Sequence, residues 1–189
     1  MKKASIIAFF LFTALFLYAQ TLSWDIKFLR GRNRESVPIS QIIRMETGQN
    51  FQIAITPAVN SFCYVIVNDS SRQIFVLHDQ PIRAGNEINL GPLRLEEPSG
   101  TETLYVIMSL ERQTSLENLI QSHKSNPQSR QHTDNLRREI VRLQSVASAL
   151  GEPASIFIPS GGTTRGSTQE HATRFSGQSL YVRTIAVRH

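Results

Sequence analysis

Apolar and polar side chains alternate in short runs along residues 22–110. Trp24, Ile26 and Phe28 alternate with Ser23, Asp25 and Lys27, and Phe51, Ile53 and Ile55 with Gln52, Ala54 and Thr56. Period two describes a strand with one buried and one wet face. Phe62 to Val67 and Leu104 to Met108 are apolar at successive positions, which predicts central strands covered on both sides. Asn68-Asp69-Ser70-Ser71, Ala84-Gly85-Asn86 and Pro98-Ser99-Gly100 are dense in turn residues. Ile74 to Leu77 follow the first of them, so 62–77 reads as a hairpin, while Gly91-Pro92 reads as a break between Leu90 and Leu93. Strands recurring about every ten residues between turns indicate a mainly β protein, a single antiparallel β-sandwich.

After residue 110 the period changes. Thr114 or Ser115 is expected to cap a short helix carrying Leu116, Leu119 and Ile120, with Glu117 where the helix dipole favours an acid. Residues 122–132 are wholly polar and predict a mobile loop. Thr133 or Asp134 should cap a second helix whose Leu136, Ile140, Leu143, Ala147 and Leu150 form a one-sided stripe, ended by Gly151. Ile156-Phe157-Ile158 predicts a strand, residues 160–178 a long polar loop, and Leu180 to Val187 a closing strand. The helical stretch, about 114–151, is too short for a core of its own and reads as an insertion before the last strands.

The chain begins differently. Lys2 and Lys3 precede the apolar run Ala4 to Ala19, which predicts a secretory signal peptide over residues 1–19 and a β-sandwich domain over 20–189. The run is shorter than the roughly 20 residues a spanning helix needs, so cleavage is expected and no stable membrane span after it; a retained anchor is the alternative. No cysteine lies near the junction, which excludes lipoprotein processing. The implied address is periplasmic or extracellular. Cleavage removes Lys2 and Lys3 and no acid, leaving 18 basic against 15 acidic residues. So mild a positive balance gives no reason to expect nucleic acid. The lone cysteine, Cys63, excludes an internal disulfide and lies in an apolar strand, where a buried small hydrophobe is the expected role.

Candidate chemistry is sparse. The five histidines have no metal-ligand spacing, and His78-Asp79 would point to opposite faces of one strand. Ser160-Gly161-Gly162 with His171 is the nearest nucleophile and base, but it lacks a nucleophile elbow and shares one flexible loop. No catalytic residue, metal ligand or cofactor is expected. Sixteen of the twenty basic residues are arginines, densest in Arg30-Gly31-Arg32-Asn33-Arg34. Guanidinium forks match carboxylates and phosphates, so Arg30, Arg32 and Arg34, with Arg165 and Arg174 of the last loop, are the candidate contacts.

Phe28 to Asn33, Tyr64-Val65-Ile66, Ile82 to Gly85 and above all Pro98 to Ser109 are ordered as in a bacterial family of unknown function that this chain resembles. That family is β-rich, occurs in envelope proteins and is often fused to caspase-like peptidases or serine/threonine kinases. Leu17 to Gln20 is similar to spirochaete secretory signals. The resemblance covers roughly residues 22–110 and implies a sensor, adhesion or scaffold module with no catalytic residues to carry over. The expectation is a secreted, non-enzymatic module that binds an envelope protein or an anionic envelope component. The alternatives are a small hydrolase acting on an envelope polymer, and a structural subunit oligomerising through the 134–150 helix.

Overall fold

A computed structural model describes residues 21–39, 42–151, 154–159 and 171–189. The expected signal segment, Ser160 and Arg165 lie outside the described residues. The chain forms β1 (Leu22–Arg30), β2 (Glu35–Val37), β3 (Ile43–Arg44), β4 (Asn50–Pro57), β5 (Ser61–Asn68), β6 (Ile74–Ile82), β7 (Ile88–Arg94) and β8 (Thr101–Ser109). Helices α1 (Thr114–Ser125) and α2 (Arg130–Ala149) follow, then β9 (Ala154–Pro159), β10 (His171–Gly177) and β11 (Leu180–Arg188).

Two sheets result, in the orders β7-β4-β1-β10-β9, with β2 beside β1, and β3-β11-β8-β5-β6. Their pairings are antiparallel except the short β3–β11 contact. The sheets face each other across Trp24, Ile26 and Phe28 of β1, Ile53 and Ile55 of β4, Cys63 and Val65 of β5, and Leu104, Val106 and Met108 of β8. The expected sandwich with a helical insertion is therefore present.

The helices add a third layer. Tyr64 and Ile66 of β5 and Ile107 of β8 point away from the first sheet and pack under Leu116, Ile120, Leu136, Ile140 and Leu143. This explains the two-sided apolar strands, because one face meets a sheet and the other meets helices. The stripe of α2 is consumed in that packing.

Several boundaries differ from expectation. The polar stretch 122–132 is mostly helical: α1 runs through Ser125 and α2 starts at Arg130, leaving only a short turn at Asn126–Ser129. Ser129 caps α2 by accepting the His132 N–H, in place of Thr133 or Asp134. Neither Thr114 nor Ser115 caps α1; Gln113 occupies that position, and its side chain bonds to Ser109 and the Glu111 carbonyl and not to the helix. Gly91-Pro92 does not break the chain, for β7 passes through it with a bulge against Phe51 and Ile53. Gly91 has φ +120°, and a Cβ there would stand 2.9 Å from the Phe51 carbonyl oxygen, so only glycine fits the bulge. The expected loop 160–178 contains strand β10, paired with both β1 and β9.

Candidate functional site

The arginine cluster lies at the turn between β1 and β2. Gly31 sits at φ +68° and Arg34 at φ 53°, the left-handed backbone a tight turn demands. The Gly31 N–H donates to the Asn50 carbonyl at 2.7 Å, fastening the turn to the start of β4. Pairing of Arg30 with Phe51, and of Asn50 with Arg94, then sets β1, β4 and β7 side by side. Adjacent strands lie about 4.8 Å apart, so Arg30 and Arg94 stand within about 10 Å although remote in sequence.

These strands build an open groove lined by Arg30, Arg32, Asn33, Glu35, Gly48, Gln49 and Arg94. Arg30 is already engaged: its Nε and Nη2 donate to Glu35 at 3.2 and 2.8 Å, and Nη1 to the Arg44 carbonyl at 3.4 Å. Arg32, Arg34 and Arg94 are exposed, and their guanidinium groups have no hydrogen-bond or ion-pair partner among the described residues. Arg34 is in the same turn but does not line the groove. Two or three unpaired guanidinium groups beside exposed backbone can bind a carboxylate or phosphate bidentately.

Arg174 is placed elsewhere. It belongs to β10 and forms a two-pronged ion pair with Asp25 of β1, at 2.7 and 2.8 Å. Asp25 is five positions from Arg30 along β1, or about 17 Å at strand rise, so Arg174 does not join the turn. Arg165 lies outside the described residues. Arg94 escaped sequence reasoning because only the β4–β7 register brings it to the turn.

The other candidates resolve without sharing a site. His78 Nε2 meets the Gln80 carbonyl at 3.1 Å, while Asp79 accepts from Lys124 at 2.7 Å, so the two side chains have separate partners. β6 continues past them to Ile82 and does not end at His78. His171 falls in β10, and its proposed partner Ser160 lies outside the described residues. Among the described residues no group of three or more metal-ligating side chains comes together, and no helix is long and apolar enough to cross a membrane.

One constellation has no sequence signal at all. Thr47 Oγ1 lies 3.1 Å from His189 Nδ1, and His189 Nε2 lies 3.2 Å from Glu102 Oε1. With a neutral imidazole and an ionised carboxylate, Nε2 donates to Glu102 and Nδ1 accepts from the threonine hydroxyl. Hydroxyl, imidazole and carboxylate are thus chained as in a nucleophilic triad. The nearby amides are spent, however: Gly48 N–H donates to Leu95 and Gln49 N–H to Glu46. An oxyanion needs free donors at that spot. The chain also anchors the end of β11, where His189 and Gly100 exchange both backbone hydrogen bonds at 3.0 Å.

Comparison with models of known families, with curated proteins and with solved structures yields no match for this chain.

Proposed function

We propose that this chain is an exported, non-enzymatic binding or scaffold module of the bacterial envelope that holds an anionic group of its partner at the β1–β2 turn. The carrying observation is the set of unpaired guanidinium groups of Arg32, Arg34 and Arg94 around that turn. Some arginines elsewhere are neutralised in place, as Arg142 is by Glu139, Arg174 by Asp25 and Arg112 by Glu117, while Arg44, Arg83, Arg130 and Arg188 also have no acidic partner among the described residues. What marks the turn is that its unpaired arginines are gathered together. An arginine left without an internal acid keeps its full charge and donors for a ligand. The apolar leader Ala4 to Ala19 and the resemblance over residues 22–110 support the envelope address.

The test is binding to polyphosphate and to phosphatidylglycerol vesicles, with phosphatidylcholine vesicles as control. The triple variant Arg32→Gln, Arg34→Gln and Arg94→Gln should bind about tenfold more weakly and with a flatter salt dependence. Unchanged affinity for both anionic probes refutes the reading.

A hydrolase of an envelope polymer is the second reading, favoured by the Thr47–His189–Glu102 chain. It is the weaker of the two, because the Gly48 and Gln49 amides that an oxyanion would need are already bonded.

A further inference from the structure

On the other side of Arg94 the sandwich is open. Strands β6 and β7 each end a sheet, and among the described residues neither has a strand on its outer edge. Between them lies a cleft of about 410 Å³, within the ~300–1,000 Å³ range of ligand pockets. Phe51, Val67 and Leu95 form a buried apolar floor, and Leu77 and Leu93 stand half-buried on the walls. Phe75 projects from β6 at the cleft with 48% of its surface exposed.

The rim carries the opposite charge from the protein as a whole. Asp69, Glu96 and Glu97 line it against Arg94, the single cation of the lining among the described residues, while Glu102 lies buried and is bonded to His189. Two of the rim carboxylates are held in place by backbone amides: Asp69 accepts from Gln73 at 2.5 Å and Glu97 from Ser99 at 2.8 Å. Neutral amides orient these groups without cancelling their charge. A chain with a formal charge of +5 has therefore concentrated fixed negative charge around an apolar cleft. That combination repels anions and attracts a cation attached to an apolar group.

We propose that the β6–β7 cleft docks an extended segment of a partner protein, in which apolar side chains alternate with lysine or arginine. Edge strands offer unpaired backbone groups to such a segment. Alternate side chains of an added strand would enter the apolar floor, and the intervening basic ones would meet the carboxylate rim. This site opens on the other side of Arg94, which lines both, and its rim is opposite in charge to the anion groove.

The test is fluorescence anisotropy with a labelled, end-blocked heptapeptide alternating lysine and leucine, and the same peptide with glutamate for lysine. The basic peptide should bind saturably and the acidic one about tenfold more weakly. Phe75→Ser, and separately the pair Glu96→Gln and Glu97→Gln, should each weaken the basic peptide about fivefold. These positions are exposed, and an unchanged thermal melt would show that each variant folds. Arg32→Gln with Arg34→Gln should leave peptide binding unchanged, so failure of the anion reading and failure of this one are told apart. No saturable binding, equal binding of the acidic peptide, or binding indifferent to both cleft variants overturns the proposal. So does sedimentation showing that the cleft is closed by a second copy of the chain.

Discussion

Cys63 illustrates how position decides the chemistry of a residue. Its thiol is buried between the sheets with Val65, Leu104 and Val106, and that burial pushes its pKa above the ordinary thiol range. The thiolate is the reactive form, so the native protein should not react with a disulfide reagent at about pH 8. Reaction should appear only along the urea unfolding curve; rapid labelling of the folded protein would contradict this placement. Cys63→Ser puts a hydroxyl into the same apolar surroundings and should cost about 1–3 kcal/mol in urea-unfolding free energy. The cysteine was legible because its neighbours on both sides in the chain are apolar. Arg94 was not, because nothing within β7 distinguishes it from any other strand-end arginine; its significance comes from a pairing partner, Asn50, far away in sequence.

At the scale of elements, Tyr64 joins the central sheet to the helical layer. Its hydroxyl accepts the Gln113 N–H at 3.1 Å and donates to Glu117 at 2.8 Å, and Glu117 also holds Arg112. A strand residue therefore supplies the cap that Thr114 and Ser115 do not. The Tyr64 hydroxyl is correspondingly hard to ionise, first because of burial and then because of the Glu117 charge. Tyr64→Phe should lower unfolding free energy by about 1–2 kcal/mol and speed hydrogen exchange in the first turn of α1. Undiminished protection there would show that the helix needs no such cap. The strands with alternating residues were readable because a core layer imposes the alternation directly. Strand β10 was not, since only Phe175 among its described side chains is buried and its sequence reads as loop. The start of α2 was hidden likewise: its buried stripe begins at Leu136, while its first turn, from Arg130, carries only polar side chains.

Across the whole molecule, three titrating groups set the response to acid. Glu139 and Asp79 hold the helical layer to itself and to β6 and favour the folded state at neutral pH, while His78, bonded within β6, opposes folding only when it must charge. Glu139 of α2 is held below its ordinary 4.5, chiefly by the two hydrogen bonds from Arg142, against the opposing effect of burial. Asp79 of β6 is subject to burial that would raise it, but the bonds from Lys124 of α1 and from Gln80 outweigh this and hold it below 3.8. His78 is lowered from 6.5, mainly by burial, with the Gln80 carbonyl and Asp79 partly opposing. In each case the folded protein takes up its proton at lower pH than the unfolded chain does. The unfolded state then binds more protons in that window, so stability falls as pH falls. Thermal midpoints should accordingly be flat near neutrality, decline gently below about pH 6.5 as unfolded His78 protonates, and drop more steeply below about pH 4.5. Glu139→Gln should flatten the steep limb while lowering stability at pH 7, because Arg142 and the α1–α2 contact lose their carboxylate. An acid limb of the same steepness in Glu139→Gln and in Asp79→Asn would mean that the load is carried by other carboxylates, and that the helical layer is not what acid loosens first.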